Sequence, residues 1–266
     1  MPPERLLERL GDPSLVIVDC QWQLGSPGAG ERTYLEAHVP GASHLGVDSD
    51  LSEPPGEGGR HPLPDAEGFQ AAARRAGIRE DAAVVAYDEA GAGGAARLWW
   101  LLRHFGHDDA QVLDGGLRGW RARNGPLRSG PERIAPGDFH ARTRDDDTAT
   151  ADELVERPAG GPPALLDARA GERFRGETEP MDPVAGHIPG ARSVPFAELA
   201  PDGRFLAPDE LRRRLETPGE AVAYCGSGVS ACTLVLAAET AGLPPPRLYP
   251  GSWSEWSRRG LPVERG

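Results

Sequence analysis

The chain has 266 residues, a length typical of about two domains, and its 38% hydrophobic and 26% charged residues are typical of a folded protein. Its formal net charge of −12 argues against nucleic acid or an anionic membrane surface as a partner. All 29 basic residues are arginines, which excludes a Schiff-base lysine and a phosphate-binding lysine of the Walker type.

Cysteine usage and the N-terminal residues predict a reducing compartment. Cys20, Cys225 and Cys232 are too few for the disulfide framework of a secreted protein. The opening MPPERLLERL carries charge throughout and lacks the apolar stretch of a signal peptide. No run approaches the roughly 18 apolar residues of a membrane-spanning helix. We therefore expect a soluble cytoplasmic protein without a membrane partner.

The first half of the chain alternates short apolar strands with helices. The strand LVIVDC (15–20) is followed by a loop that contains HVPGA (38–42), and a helix is predicted over 64–76. The strand AVVAYD (83–88) then leads through small residues into the helix AARLWWLLRHFG, which ends at Gly106, and into the strand QVLD. Strands alternating with helices predict a parallel sheet covered on both faces.

The second half repeats this order after a polar segment. Residues 126–149 are rich in Pro, Gly, Asp and Thr and are interpreted as a linker. The later motifs ALLDAR (164–169), HIPGA (187–191), AVAYC (221–225) and RLYPGSWSEW (247–256) each match one in the first half. Four matches in the same order indicate a duplication. The sequence thus predicts two similar α/β domains, at 1–125 and 150–266, each with a parallel sheet flanked by helices.

The second repeat places Cys225 at the end of its buried strand. A five-residue loop follows and leads directly into a helix; its residues are Gly226, Ser227, Gly228, Val229 and Ser230. Glycines permit a tight curl whose backbone N–H groups converge, and the helix N-terminus adds partial positive charge. Both effects favour a thiolate, so Cys225 is the candidate nucleophile. The alternative is a structural cysteine at a strand end.

Other interpretations of the candidate residues are weaker. A cysteine phosphatase would need an arginine where Ala231 stands, and a dithiol redox site would need a cysteine at Gly228. No spacing of Cys and His suits a metal. We expect Cys20 and Cys232 to be packing residues. The histidines of the two H-x-P-G-A motifs, His38 and His187, are interpreted as turn-locking residues that bond local backbone.

The motifs together resemble the two-domain rhodanese sulfurtransferases. The resemblance rests on the duplication, the two H-[VI]-P-G-A motifs, YCGSGVSA and PGSWSEW, and covers nearly the whole chain. It implies two tandem rhodanese-like domains, of which the first is catalytically silent because Asp88 stands where Cys225 stands in the second. It also implies a ping-pong reaction without a cofactor. The thiolate takes sulfane sulfur from a small anionic donor, becomes a persulfide, and passes the sulfur to cyanide, a thiol or a thioredoxin-like acceptor.

The loop sequence also bears on the donor. Cys-Gly-Ser-Gly-Val-Ser resembles the 3-mercaptopyruvate type, whereas thiosulfate enzymes usually carry basic residues here. In the mercaptopyruvate type a loop serine relays protons to a His–Asp pair, and the matching residues are Ser227, His61 and Asp48. Two alternatives stay open. One is a thiosulfate:cyanide sulfurtransferase, and the other is a non-catalytic module that binds sulfur or a protein partner.

Because there is no lysine, arginines must hold the donor's carboxylate. Asp167, Arg169 and Arg173 follow the first strand of the second repeat and are assigned to substrate binding. Arg173 matches the family arginine that contacts the donor near the cysteine. The resemblance leads one to expect a second arginine after Glu-Pro, where this chain has Met181. Either a neighbour such as Arg175 replaces it, or the carboxylate is bound more weakly, or thiosulfate is also used.

Overall fold

The computed structural model describes residues 1–90, 93–158 and 161–266, and the chain divides into two compact units. The first unit contains Met1–Glu53, Leu63–Arg144 and Asp202–Arg204, and the second contains Pro54–Pro62, Asp145–Pro201 and Phe205–Gly266. A short segment from the first half of the chain, Pro54–Pro62, therefore belongs to the second unit. We retain 1–125 and 150–266 as a proposal for the extent of the two sequence repeats.

The first unit contains a four-stranded parallel sheet and five helices in the described part of the chain. The strands are β1 (Leu15–Asp19), β2 (Ser43–His44), β3 (Ala83–Tyr87) and β4 (Ala110–Val112), in the order β2-β1-β3-β4. The helices are α1 (Pro3–Glu8), α2 (Ala29–Glu36), α3 (Ala66–Arg75), α4 (Gly94–His104) and α5 (Gly116–Ala122).

The second unit repeats the sheet. Its strands are β5 (Ala164–Asp167), β6 (Arg192–Ser193), β7 (Ala221–Tyr224) and β8 (Arg247–Leu248), parallel and in the order β6-β5-β7-β8. Its helices are α6 (Ala151–Glu156), α7 (Gly171–Phe174), α8 (Phe196–Leu199), α9 (Pro208–Leu215), α10 (Ala231–Thr240) and α11 (Ser252–Arg258). The predicted fold class, two domains that each have a parallel sheet flanked by helices, is confirmed.

The register of the central strands sets the position of the candidate nucleophile. Asp19 pairs with Tyr87 in the first sheet, and Asp167 pairs with Tyr224 in the second. Asp88 and Cys225 are the residues that follow, so each emerges from the carboxyl edge of a central strand. Open parallel sheets bind their ligands at this edge, because the strands end there and the helices begin.

Equivalent aromatic residues fill the two cores. Trp120 in the first unit and Trp256 in the second are at most 1% exposed, and each indole N–H donates to a proline carbonyl six residues later. Trp99, Trp100 and Trp253 are also buried. Within the segment interpreted as a linker, Phe139 is buried and its ring meets that of Phe69 edge to face.

Each H-x-P-G-A histidine bonds a backbone carbonyl, as predicted, although the partner of His187 lies 13 residues away and is not local. His38 Nδ1 lies 2.8 Å from the carbonyl oxygen of Tyr34, and His187 Nδ1 lies 2.7 Å from that of Phe174. Each imidazole also stacks on the ring of the same residue. Because the first repeat, which has Asp88 at the position of Cys225, keeps the same contacts, we interpret these histidines as structural.

Cys20, Cys225 and Cys232 are all buried, and no disulfide joins any two of them. Burial raises the pKa of the Cys20 thiol well above its usual value, and nearby Asp19 and Asp88 act in the same direction. Among the described residues, no helix has the length and apolar character needed to cross a bilayer.

Candidate active site

Cys225 is held at the end of β7 by the first turn of α11. Its backbone N–H donates to Ser252 Oγ at 3.1 Å, and its carbonyl accepts from the N–H of Trp253 at 3.0 Å. The next carbonyl, that of Gly226, accepts from the N–H of Ser254 at 2.9 Å. These bonds explain why the PGSWSEW motif accompanies the cysteine, since its polar atoms fix the backbone on which the thiol stands.

The loop after Cys225 is tightly curled. Gly228 has a φ of +79°, and a Cβ placed on it would lie 2.5 Å from the carbonyl oxygen of Pro250, so only glycine fits without a shift. Within the described residues, the backbone N–H groups of Ser227, Val229 and Ser230 donate to no protein acceptor. They are therefore available to an anion beside the start of α10.

In the first unit, the residue that corresponds to Cys225 is a carboxylate, and its contacts show how a loop of this kind binds a negative charge. Asp88 follows β3 as Cys225 follows β7, and its carboxylate accepts the backbone N–H groups of Ala90 and Ala95, each at 3.1 Å. Ala95 lies in the first turn of α4, so the helix N-terminus takes part. An anion at the strand end is thus received by backbone N–H groups. Residues 91 and 92 of this loop lie outside the described chain.

His61 reaches Ser227 from the segment Pro54–Pro62. Its Nδ1 lies 2.7 Å from Ser227 Oγ, and both residues are buried. The backbone of the segment fits closely against the start of α11, because a Cβ on Gly59 would lie 2.8 Å from the carbonyl oxygen of Gly251. Asp48 belongs to the first unit, where its Oδ1 accepts from the indole N–H of Trp22 at 3.0 Å. Its part in a proton relay stays a prediction.

Arg173, at the end of α7, lies beside the loop. A Cβ placed on Gly226 would be 3.5 Å from Arg173 Nη1 and 3.6 Å from Nη2. Glu179 holds the other edge of the guanidinium, with Nη2 at 2.6 Å and Nε at 3.2 Å from its carboxylate. Arg173 Nη1 bonds to no protein atom in residues 1–90, 93–158 and 161–266, so it is free to receive a ligand.

Asp167 and Arg169 form a buried ion pair below this arginine. Arg169 Nη2 lies 2.6 Å from Asp167 Oδ2, its Nη1 lies 3.3 Å from Glu179, and its guanidinium stacks 4.6 Å from the Trp253 ring. Burial acts to lower the pKa of Arg169, but the charge and hydrogen bonds of Asp167 outweigh it and raise that pKa above its usual value. The guanidinium is therefore permanently charged. The sequence predicts Asp167 and Arg169 as substrate ligands. In the structure, however, their polar atoms bond to each other and to neighbouring protein groups.

Three residues near the catalytic loop were not predicted from the sequence: Arg60, Glu179 and Asp182. Glu179 and Asp182 flank Met181, and their side chains are each 3% exposed although their sequence context suggests a surface loop. Met181 itself is 41% exposed. Arg175, considered as a replacement for the missing arginine, forms an exposed pair with Glu177 at 2.7 Å. The signal for Arg60 was its position directly before His61.

The site uses residues that could hold an anionic ligand rather than a metal. Among the described residues, no three side chains of the metal-ligating types cluster. The loop offers backbone N–H groups and the arginines offer guanidinium N–H groups, and both kinds of donor suit carboxylates and sulfur anions.

Known proteins resemble this chain over most of its length. A family model for the rhodanese-like domain matches residues 2–123 and 150–259. A probable 3-mercaptopyruvate sulfurtransferase of Pseudomonas aeruginosa is 46% identical over 95% of this chain and 93% of the relative. A Mycobacterium tuberculosis protein named as the thiosulfate sulfurtransferase SseB is 42% identical, covering 96% and 92%. The solved structure of 3-mercaptopyruvate sulfurtransferase from Leishmania major superposes on this chain with a TM-score of 0.85. The match covers 97% of this chain and 74% of that one, and the sequences are 32% identical.

Proposed function

The chain belongs to the rhodanese-like domain family, and on that basis we propose that it is a sulfurtransferase that takes sulfur from 3-mercaptopyruvate through a persulfide on Cys225. The observation that carries the choice of donor is the 2.7 Å contact between His61 Nδ1 and Ser227 Oγ, two residues from the nucleophile. A serine bonded to a histidine can move a proton, and this donor needs one moved.

The first half-reaction breaks a carbon–sulfur bond. The Cys225 thiolate attacks the sulfur of 3-mercaptopyruvate, and the electron pair of the carbon–sulfur bond goes to carbon as the pyruvate enolate. The thiol proton of the donor passes through Ser227 and His61 to that carbon, which gives pyruvate and the anionic persulfide. Atoms and charge balance without an added oxidant or reductant.

The loop stabilises the persulfide anion. Its outer sulfur carries the negative charge and extends the cysteine side chain by one atom into the region of the unused N–H groups of Ser227, Val229 and Ser230. The Asp88 carboxylate occupies the corresponding loop of the first unit in the same way. This parallel supports a site built for an anion that stays attached to the strand end.

The donor's carboxylate is received by Arg173, whose Nη1 is unused and whose other edge is fixed by Glu179. For Arg169 and Asp167 we propose a positioning role in place of direct substrate contact. Arg169 joins Asp167 to Glu179, and Glu179 in turn orients Arg173. In the first unit the equivalent carboxylate, Asp19, is satisfied by the amide of Gln21. In the second unit a guanidinium, that of Arg169, takes the place of this amide, and it also reaches Glu179.

Thiosulfate is the second candidate donor. The observation in its favour is that two guanidiniums, those of Arg60 and Arg173, lie over Gly226, and a dianionic donor is attracted by paired cations. Glu179 and Asp182 neutralise that pair, which favours a donor with a single carboxylate. The ratio of kcat/KM for 3-mercaptopyruvate and thiosulfate, with cyanide as acceptor, decides between the donors.

In the second half-reaction a thiophilic acceptor removes the outer sulfur and restores the thiolate. With cyanide the products are thiocyanate and the Cys225 thiolate, so charge and sulfur balance. A thiol or a thioredoxin-like dithiol is the proposed acceptor in the cell. A module that only binds sulfur would form the persulfide without turnover. If no acceptor gives product in the steady state, this non-catalytic alternative is favoured.

Ser227→Ala and His61→Ala should lower turnover with 3-mercaptopyruvate by at least about tenfold, since general acid–base assistance is commonly worth 10²–10⁴-fold and water can replace part of it. Thiosulfate leaves as sulfite, a weak base that needs no proton, so its turnover should be retained. The measured quantity is the ratio of the two activities in each variant relative to the wild type.

This ratio cancels any loss of active enzyme, because misfolding lowers both activities together. An equal loss with both donors would show that Ser227 and His61 only shape the loop. A wild-type preference for thiosulfate would instead overturn the assignment of the donor.

Arg173→Ala should lower kcat/KM for 3-mercaptopyruvate by about 30- to 1,000-fold, or about 2–4 kcal/mol, the usual cost of leaving one member of a desolvated charge pair alone. Arg175→Ala is the matched control, two residues away in an exposed pair with Glu177. We expect it to behave as the wild type. Steady-state kinetics with both variants make the test, and wild-type kinetics in Arg173→Ala would remove this arginine from the site.

A further inference from the structure

Ser252, the first residue of α11, has a backbone conformation that is unusual for a residue with a side chain. Its φ is +52°, in the left-handed region that favours glycine, and the residue is fully buried. Among the described residues, the other non-glycine residues with a positive φ are Asn124 and Asp202, which are exposed and of the types that adopt it most readily. Strain at a buried serine indicates a functional constraint.

The first unit has a glycine at the corresponding position. The N–H of Leu117 donates to the carbonyl oxygen of Asp88 at 2.8 Å, which repeats the bond between α11 and the carbonyl of Cys225. The residue before Leu117 is Gly116, which stands where Ser252 stands in α11, and its φ is +56°. The turn therefore has this conformation in both units, and glycine adopts it without strain. What the serine adds in the second unit is its hydroxyl.

The Ser252 hydroxyl makes two buried hydrogen bonds. It accepts from the backbone N–H of Cys225 at 3.1 Å and donates to the carbonyl oxygen of Tyr249 at 2.9 Å. Its single proton is thus used by the protein, and one of its lone pairs is used by the candidate nucleophile. This leaves Ser252 Oγ without a proton to give to a donor, so its action on the reaction is through Cys225.

Asp88 and Cys225 are held at their strand ends in different ways. The Asp88 side chain is anchored by the N–H groups of Ala90 and Ala95, each at 3.1 Å. The Sγ of Cys225 makes no hydrogen bond in the part of the chain that the structure describes, and a nucleophile needs its sulfur free for the donor. Cys225 is therefore fixed through its backbone, and the bond to Ser252 is the one contact of that backbone that a glycine would lack.

We propose that Ser252 is a positioning residue for sulfur transfer, whose hydroxyl fixes the N–H of Cys225 and thereby the place from which Sγ attacks the donor. One rotatable bond separates the sulfur from the backbone, so a shift of the backbone moves the sulfur by a similar distance. A misplacement of about 1 Å can lower a rate by about 10²-fold. This inference rests on the proposed function, because it takes Cys225 as the nucleophile.

A positioning role through Cys225 predicts the same effect with both candidate donors. 3-Mercaptopyruvate and thiosulfate are attacked by the same sulfur atom, and Ser252 bonds to neither. Loss of its hydroxyl should therefore lower kcat for both donors by the same factor and leave KM nearly unchanged. Loss of the proton relay through Ser227 and His61 differs, because it changes the ratio of the two activities.

The test uses two variants that separate the hydroxyl from the strain. Ser252→Ala and Ser252→Gly both remove the hydroxyl, but only glycine relieves the backbone. In both variants kcat should fall by about 10- to 100-fold with each donor, and KM should change by less than about threefold. Activity is expressed per chain that gains one sulfur atom by mass spectrometry, which removes any contribution from misfolded protein.

The stability of the second unit should follow the backbone and not the hydroxyl. Hydrogen exchange of the strand residues 221–224 in urea should show a higher unfolding midpoint for Ser252→Gly than for Ser252→Ala, because alanine keeps the unfavourable φ. Equal activities together with unequal stabilities would separate a positioning role from a purely structural one, in which activity would recover with stability.

Two controls match these variants. Ser257→Ala removes another hydroxyl from α11, one that is buried and has no hydrogen-bond partner among the described residues, and it should keep the wild-type kcat. Gly116→Ser introduces the strained serine into the first unit beside Asp88. It should lower the urea midpoint for residues 83–87 and leave kcat unchanged.

Wild-type kcat in Ser252→Gly with both donors would overturn the inference and make the hydroxyl a filler of the turn. A loss with one donor only would also overturn it and place Ser252 in the binding or protonation of that donor. Ser252→Gly decides the question if Ser252→Ala does not fold, because Gly116 already adopts the same φ in the first unit.

The failure of this inference is distinguishable from the failure of the proposed function. If the wild type transfers sulfur from neither donor, the proposed function falls, and this inference falls with it. If it uses thiosulfate alone, the assignment of the donor falls, and the Ser252 variants are judged with thiosulfate. If the wild type is active and Ser252→Gly equals it, only the role of Ser252 is overturned.

Discussion

Replacing Cys225 with serine should abolish sulfur transfer, with a loss of roughly 10³-fold or more in kcat for either donor. A serine hydroxyl is not ionised at neutral pH and cannot form the sulfur–sulfur bond that carries the transferred atom. We expect no substitute from the first unit, because Asp88 occupies the position that corresponds to Cys225. Steady-state assays with 3-mercaptopyruvate and with thiosulfate measure this loss.

The matched controls for this prediction are the other two cysteines. Cys20→Ala and Cys232→Ser should retain most activity, since both side chains are buried and the serine hydroxyl can keep the bond that Cys232 Sγ makes to the carbonyl oxygen of Gly228. After donor treatment the protein should carry one added sulfur atom on Cys225. One tryptic peptide contains both Cys225 and Cys232, so fragmentation must locate the sulfur. Sulfur found on Cys20 or Cys232 would contradict the assignment.

Arg169→Ala should lower the free energy of unfolding of the second unit by about 3–5 kcal/mol, because it leaves a buried carboxylate without its partner. The Asp167 side chain is fully buried and that of Arg169 is 1% exposed. The variant also deprives Glu179 of a cation. Amide hydrogen exchange of the strand residues 164–167 and 221–224 reports on this unit by itself. In urea titrations these amides should exchange faster in the variant than in the wild type.

Arg169→Gln should cost less than Arg169→Ala. The first unit already shows the amide arrangement, in which Gln21 donates to Asp19 at 2.9 Å. Arg214→Gln serves as a surface control, since its pair with Glu198 is exposed and such pairs are worth about 0–1 kcal/mol. A loss below about 1 kcal/mol in Arg169→Ala would contradict the importance of the buried pair.

Some features of the site could be predicted from local patterns. The strand before Cys225, the glycine loop and the helix after it form one continuous stretch, and short-range rules on periodicity and turns apply to such stretches. The duplication was visible for the same reason, because each motif is only a few residues long. Arg173 and the Ser227–His61 pair came from a resemblance carried by those motifs, and their roles stay predictions.

The sequence by itself therefore determined the two parallel sheets and the loop between β7 and α10 that carries Cys225. The role of Cys225 as nucleophile and the silence of the first repeat stay predictions. Only the tertiary structure decided that Pro54–Pro62 joins the second unit and that Asp182 pairs with Arg60. Ion pairs between distant residues leave no periodic signal, and an acidic residue in a loop has the same pattern whether it is solvated or buried. Its burial depends on which guanidinium the fold brings to it, and that is a property of the assembled chain.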